Sequence, residues 1–388
     1  MRHSEDRILT THAGSLPRPS DLGQMFARAS RHEPVDQSAL AAAVEAATRD
    51  VIRRQHECGI DIGNNGEQPR ESFFTYVQHR MSGFGGRSER PRFKDVWEYP
   101  TFTARMAAMS AGMSVDLLHA PQALGAVAYR DRAPLEREIA DYLRLARAQQ
   151  SAFVESFMTA PSPGIIASAM LNQHYATLGD YVMALADALR VEYEAIVASG
   201  LVLLQIDAPD LAMERHVSYG ERPLREFQEF VELVVAGINR ALENIPRDRV
   251  RLHVCWGNYE GPHHHDVELP DILPILLQAK VDAMLLSMAN PRHEHDYHCF
   301  ERTKLPAGMM LLAGVIDSTT NYVEHPEVVA ERLERAARAV GDPQRIIAAT
   351  DCGFETTVGL SSVAEELVWV KLAALRDGAA LASRRLFG

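Results

Sequence analysis

The chain has no run of eighteen or more consecutive apolar residues, so no segment reads as a membrane-spanning helix. Its opening stretch, MRHSEDRILTTHAGS, carries charges where a secretory leader needs an apolar centre, and a cytoplasmic location is expected. Cysteine is scarce. Cys58, Cys255, Cys299 and Cys352 are spread across most of the sequence, which excludes the dense spacing of a disulfide scaffold. In a reducing compartment such thiols are buried, catalytic or metal-bound. A basic stripe is also missing. With 40 Lys and Arg against 52 Asp and Glu, interspersed, the formal net charge is −12, and nucleic acid is not an expected partner. No Ser/Gly linker marks a second domain, and the composition leaves a homo-oligomer open.

What is present is ordinary for a globular protein, 46% hydrophobic and 24% charged over 388 residues. Short apolar, β-branched runs recur at 7–15, 59–67, 164–170, 201–209, 250–258, 281–290, 310–317 and 345–354. Between them lie stretches with helical periodicity, several closed by a glycine that suits a helix C-terminus. Eightfold alternation of this kind predicts an α/β fold, a (β/α)8 TIM barrel spanning residues 1–388 as one catalytic domain. Residues 68–163 exceed a single crossover helix. They predict a long insertion between the second and third strands, a hairpin with extra helices capping one end of the barrel.

Barrel enzymes build their sites where strands end and βα loops begin. The predicted strand ends carry His12, Ser15, Asn65, Glu67, Asp207, Asp210, His253, Cys255, Ser287, Asn290, Asp317, Asp351 and Cys352. In RLHVCWGN, His253 and Cys255 are two residues apart on a strand and so share a face. Barrel closure can bring Cys352 near them. Imidazole and thiolate are preferred zinc ligands, and three protein ligands with an open fourth place is the catalytic pattern. The triplet His263, His264 and His265 predicts a loop at the barrel mouth with a surface or substrate contact, rather than a second metal site.

The phrases TTHAGSLPRP, GNNGEQPR, LQIDAPDLAM, HVCWGN, NPRHEH, GVIDSTTNYVEHPEVVAERL and ATDCGFET, in that order, resemble the catalytic barrel of cobalamin-independent methionine synthases. They resemble more closely its short single-barrel relatives, which include the epoxyalkane:coenzyme M transferases. The resemblance implies a zinc-dependent S-methyltransferase or alkyltransferase of methionine-biosynthesis type. Its zinc would be held by His253, Cys255 and Cys352, and its partners would be a small thiol and a methyl or alkyl donor. Ser15 and Glu67 would hold the amino-acid part of the thiol, Asp207 would bind its amino group without touching the metal, and Asn258 would also contact substrate.

Two departures from the family bear on the donor. Ser287 stands where the family has a glutamate ligand, leaving that place to water or to a side chain of the 293–295 cluster. After Asp317 come Ser318, Thr319 and Thr320, where a methionine synthase has a proton-donating histidine; His293, His295 or Glu324 would have to supply the acid. A folate amine leaves poorly without one, so a donor other than methyltetrahydrofolate is expected. The alternatives are a methyltetrahydropteroyltriglutamate–homocysteine methyltransferase proper and a metal-free barrel of the uroporphyrinogen decarboxylase type.

Overall fold

A computed structural model describes residues 1–91, 93–110, 119–149, 152–200 and 202–388. Its strands, in chain order, are β1 (Leu9–Thr10), β2 (Ile62–Gly63), β3 (Met81–Gly85), β4 (Gln122–Tyr129), β5 (Glu155–Pro161), β6 (Val202–Asp207), β7 (Val250–Val254), β8 (Ala283–Ser287), β9 (Met310–Ile316) and β10 (Ile346–Thr350). Eight of these pair in parallel in the order β1-β10-β9-β8-β7-β6-β5-β2. A parallel bridge between Thr11 and Ile62 joins the two ends of that sheet, so the predicted (β/α)8 barrel is the fold.

The strands β6 to β10 are buried along their whole length, as parallel strands covered on both faces must be, which is why they read as nearly continuous apolar runs. Alternate side chains feed two separate cores. Phe157, Leu203, Leu285, Leu312 and Ile347 fill the barrel interior. Leu204, Leu252 and Leu286 face outward against helix residues such as Val182, Val231 and Leu273. Each such buried side chain contributes about 1.5–3 kcal/mol.

The helices begin and end where local chemistry directs. Asp36 accepts hydrogen bonds from the backbone of Ser38 and Ala39 at the start of Gln37–Cys58, and that helix stops at Gly59 with φ +79°. Thr177 likewise caps Leu178–Ala198, which packs against Leu224–Ala241.

One strand lies elsewhere than predicted. Residues 164–169 belong to a helix, Pro163–Ala169, with Met170 just after it, and the third barrel strand is β5, just before it. The reason is local: Ser162 Oγ accepts from Ile165 N at 2.9 Å and Pro163 occupies the first turn, a helix start that outweighs the β-branched Ile165 and Ile166. The segment between the second and third barrel strands is therefore 64–154, not 68–163. It contains the antiparallel pair β3–β4 and the helices Lys94–Trp97, Pro100–Ser110 and Ala133–Arg147. Parts of the predicted insertion, residue 92, residues 111–118 and residues 150–151, lie outside the described residues, as does Leu201 at the head of the fourth predicted run. Ala133–Arg147 packs beside Gln37–Cys58, while Asp95 accepts hydrogen bonds from Tyr259 Oη at 2.5 Å and His263 N at 2.9 Å in the loop after β7. Among the described residues, no helix is long and apolar enough to cross a membrane.

Candidate metal centre and substrate site

Arg251, His253 and Cys255 follow one another along the inner face at the β7 end, as strand alternation requires. Arg251 is spent on structure: it bonds Gln205 Oε1 at 2.7 Å, Thr11 Oγ1 at 3.1 Å and the carbonyl of His12 at 3.0 Å, and stacks on Phe157. Above it, the side chains of His253, Cys255 and Cys352 converge, all buried, with their ligand atoms within 4.8 Å of one another. The two sulfurs are 3.8 Å apart, far beyond a disulfide bond. That separation matches the edge of a tetrahedron with metal–sulfur bonds of about 2.3 Å. One imidazole and two thiols therefore fit a borderline-soft divalent ion such as zinc.

His253 is oriented by a neighbour. In the β6–β7 register Asp207 lies opposite His253, and its Oδ1 accepts from His253 Nδ1 at 2.9 Å. Because a carboxylate accepts, Nδ1 carries a hydrogen, while Nε2 lies 3.3 Å from the carbonyl of Asp351 and is the nitrogen free of the carboxylate, the one an ion would take, an arrangement common among metal-binding histidines. Gln205 Nε2 donates to the same Asp207 oxygen at 2.7 Å. Burial works against a charged His253 ring, but the bonds to Asp207 and Cys255 outweigh it and raise the ring to about 10. The contact between the two sulfurs holds the Cys255 thiol well below its ordinary value and pushes Cys352 up.

Beside this cluster stands a second set of buried polar atoms. Glu67 is held at φ +58°, a left-handed conformation that is strained for a residue with a side chain and that often marks functional sites. Asx turns build the bend: Asn64 Oδ1 accepts from Gly66 N at 2.7 Å and Asn65 Oδ1 from Glu67 N at 3.0 Å. Glu67 Oε1 accepts from Thr159 Oγ1 at 2.8 Å, whereas Glu67 Oε2 and Ser15 Oγ are buried with no partner. Burial first, then the charge of Asp207, raises the Glu67 carboxyl to about 7. Thr159 is itself fixed by Arg70, which donates to its carbonyl at 2.9 Å and its hydroxyl at 3.0 Å. Neither Thr159 nor Arg70 was singled out in the sequence. Thr159 lies on β5, the strand that was misplaced, so its inward position was not legible there.

The other predicted residues divide. Asn258 bridges two loops, donating to the carbonyl of Gly353 at 2.8 Å and accepting from Ser318 Oγ at 3.1 Å. Ser287 donates to the carbonyl of Asp351 at 3.1 Å and does not join the ligand cluster. The Asp351 carboxylate accepts from the backbone of Met288 and Ala289 at 2.9 and 3.0 Å, tying the β10 end to the β8 end. His12 is buried against Gln55 at 2.8 Å, and burial lowers its ring to about 4. Asp317 accepts from the backbone and hydroxyl of Thr319, both at 2.7 Å.

The two histidines of NPRHEH are occupied away from the cluster. His293 puts one nitrogen 2.8 Å from Asp266 and the other 3.0 Å from Asp296, and its ring stacks on Trp256 at 4.1 Å. It braces the residue that follows Cys255. The His295 side chain is 55% exposed and lies 3.8 Å from Glu268 and 3.6 Å from Asp296.

Comparison with known proteins agrees with this architecture. A family model described as the catalytic domain of cobalamin-independent synthase matches residues 8–374. A methionine synthase of Sulfolobus acidocaldarius is 25% identical over 346 residues, covering 89% of this chain and 85% of its own. A 2-hydroxypropyl-CoM lyase of Xanthobacter autotrophicus is 24% identical over 384 residues, covering 91% of each. The solved structure of a B12-independent methionine synthase from Shewanella sp. W3-18-1 shares the fold, with a TM-score of 0.73 at 20% identity over 98% of this chain and 99% of that one. Since the family match runs from the residue before β1 into the last helix, Glu365–Leu386, this chain belongs to the cobalamin-independent synthase catalytic-domain family.

Proposed function

We propose that the chain is a zinc-dependent thiol alkyltransferase, in which the thiolate of a small thiol, homocysteine or a related compound, attacks a methyl or alkyl donor. The observation that carries this reading is the convergence of His253, Cys255 and Cys352 next to the unpartnered buried oxygens of Glu67 and Ser15. His253, Cys255 and Cys352 would hold the ion, which when bound supplies a Lewis acid that keeps a thiol ionised near neutral pH. The relatives named for methionine synthesis and for a CoM conjugate support a small thiol as one reactant.

In the reaction a sulfur–carbon bond forms, and the donor's bond to the transferred carbon breaks with its electron pair going to the leaving group. The chain's residues prepare this step. Asp207 fixes His253 through Nδ1 and faces the amino group of an amino-acid thiol, and Glu67 and Ser15 bind the amino-acid part of that thiol. Holding both reactants in a fixed geometry supplies effective molarity. Asp95, in the segment after β2, anchors the loop after β7 by accepting from Tyr259 Oη and His263 N. The whole chain acts as one catalytic barrel in a reducing, cytoplasmic setting.

The donor is a reactive electrophile rather than a folate amine. Thr319 stands at the end of β9 with its hydroxyl committed to Asp317, and both ring nitrogens of His293 are committed to aspartates, so a ready acid for an amine leaving group is not positioned among them. A thiol-consumption assay tests the reading: homocysteine and coenzyme M are each offered methyltetrahydrofolate, S-methyl sulfonium compounds and small epoxides. Zinc-dependent turnover with a sulfonium or epoxide is expected. Efficient turnover with methyltetrahydrofolate would reverse the donor assignment, and no thiol loss with any donor would remove the function.

A further inference from the structure

The three consecutive histidines after β7 separate in the structure. His263 turns inward, with Nδ1 3.0 Å from Asp266 and Nε2 3.0 Å from the carbonyl of Tyr259. His264 and His265 turn outward, and both direct Nε2 at one oxygen, Glu98 Oε2, at 3.2 and 2.7 Å. The two rings lie 4.1 Å apart. The three ligand atoms stand within 4.8 Å of one another, as do those of the inner cluster.

We propose that Glu98, His264 and His265 form a second metal site, for a zinc-class divalent ion, that clasps the segment around Glu98 to the loop after β7. The donor set, two imidazole nitrogens and a carboxylate oxygen, suits zinc, copper or nickel and is a poor match for calcium or magnesium. Hydrogen bonding alone is a weak reason for this convergence, because exposed ion pairs of long side chains contribute little against the entropy of ordering them. The loop is also fixed by its inner contacts: His263, at φ +53°, is held by Asp95, Asp266 and the carbonyl of Tyr259, while the next two side chains lie outward.

The ligands come from segments 166 residues apart that are already held in register. Three residues before Glu98, Asp95 accepts from Tyr259 Oη and His263 N, so the fold presents Glu98 to the histidines before any ion arrives. The ion would add a further tie between these segments at the barrel mouth. Because imidazole ligands must be deprotonated, occupancy falls on acidification.

Zinc titration by calorimetry into the enzyme that already holds its inner zinc tests this, followed by the same titration into Glu98→Ala and into the double variant His264→Ala/His265→Ala. The expected result is one added equivalent with a Kd of about 10 µM or tighter, weakened about tenfold or more in each variant while the inner zinc stays bound. Limited proteolysis within residues 94–110 should slow on adding zinc to wild type and remain unchanged in the variants. No added equivalent in wild type would overturn the proposal, and so would an added equivalent that persists in both variants. If the inner site instead held no zinc, total stoichiometry would fall by one while the outer equivalent stayed sensitive to Glu98, His264 and His265, which separates the two claims.

Discussion

Replacing Glu67 by glutamine should stabilise the fold at alkaline pH while impairing the site. Burial, and after it the charge of Asp207, holds this carboxyl at about 7 in the folded chain against a reference value of 4.5. Between those two values the folded protein keeps a proton that the unfolded chain releases. The unfolded state therefore gains relative stability as pH rises through that window. Below about 4.5 both states are protonated and nothing is lost; above about 7 the loss is complete. A gap of about 2.5 units corresponds to about 3 kcal/mol. Glutamine preserves the shape and a hydrogen bond with Thr159 but carries no charge to bury.

Urea unfolding of wild type and Glu67→Gln, each stripped of metal by a chelator so that an ion's charge does not enter the balance, should show equal stability near pH 4.5. The variant should be ahead by up to about 3 kcal/mol at pH 8. The variant should also bind the thiol substrate more weakly, a trade of stability for function. A stability difference independent of pH, or a variant less stable than wild type at pH 8, would refute the reasoning.

Other substitutions have equally direct readouts. Asp207→Asn should weaken zinc binding by about 10–100-fold, measured by competition with a chromogenic chelator, because the His253 ring loses the carboxylate that fixes it. Gly164→Ala should lower stability by about 1–3 kcal/mol in urea unfolding, since a Cβ there would lie 2.0 Å from Asp210 Oδ2 and 2.6 Å from a methyl of Val234. His295→Ala should leave kcat and KM for the thiol within about twofold of wild type, as expected for a half-exposed side chain outside the ligand cluster.

The barrel was legible because parallel strands buried on both faces leave continuous apolar runs, as in MLLAGVI and RIIAAT. It failed at β5, where ESFMTAP mixes polar and apolar residues while the next stretch, GIIASAM, carries the β-branched signal. The Ser162–Pro163 helix start was the available clue, and missing it hid Thr159. Within the site, the spacing of His253 and Cys255 is a local property and could be read directly. The contact between Asp207 and His253 depends on register between neighbouring strands, and that of Glu98 with His264 and His265 on how a distant segment folds back. Neither leaves a periodic trace. The tethering of His293 by Asp266 and Asp296 is likewise tertiary, so its position in NPRHEH suggested chemistry where the fold uses it as a brace.

The central claim, an alkyltransferase zinc held by His253, Cys255 and Cys352, is tested most directly by elemental analysis of one parent and of its Cys255→Ser, Cys352→Ser, Cys58→Ser and Cys299→Ser variants under one purification. These samples carry the additional substitutions His264→Ala/His265→Ala, so that the outer histidines do not contribute. The account predicts about one zinc per chain in the parent and in the Cys58 and Cys299 variants, and loss of that zinc in the Cys255 and Cys352 variants, the pattern of a site with three protein ligands. Zinc retained in full by both Cys255→Ser and Cys352→Ser, or absent from the parent after growth and purification with zinc supplied, would contradict it.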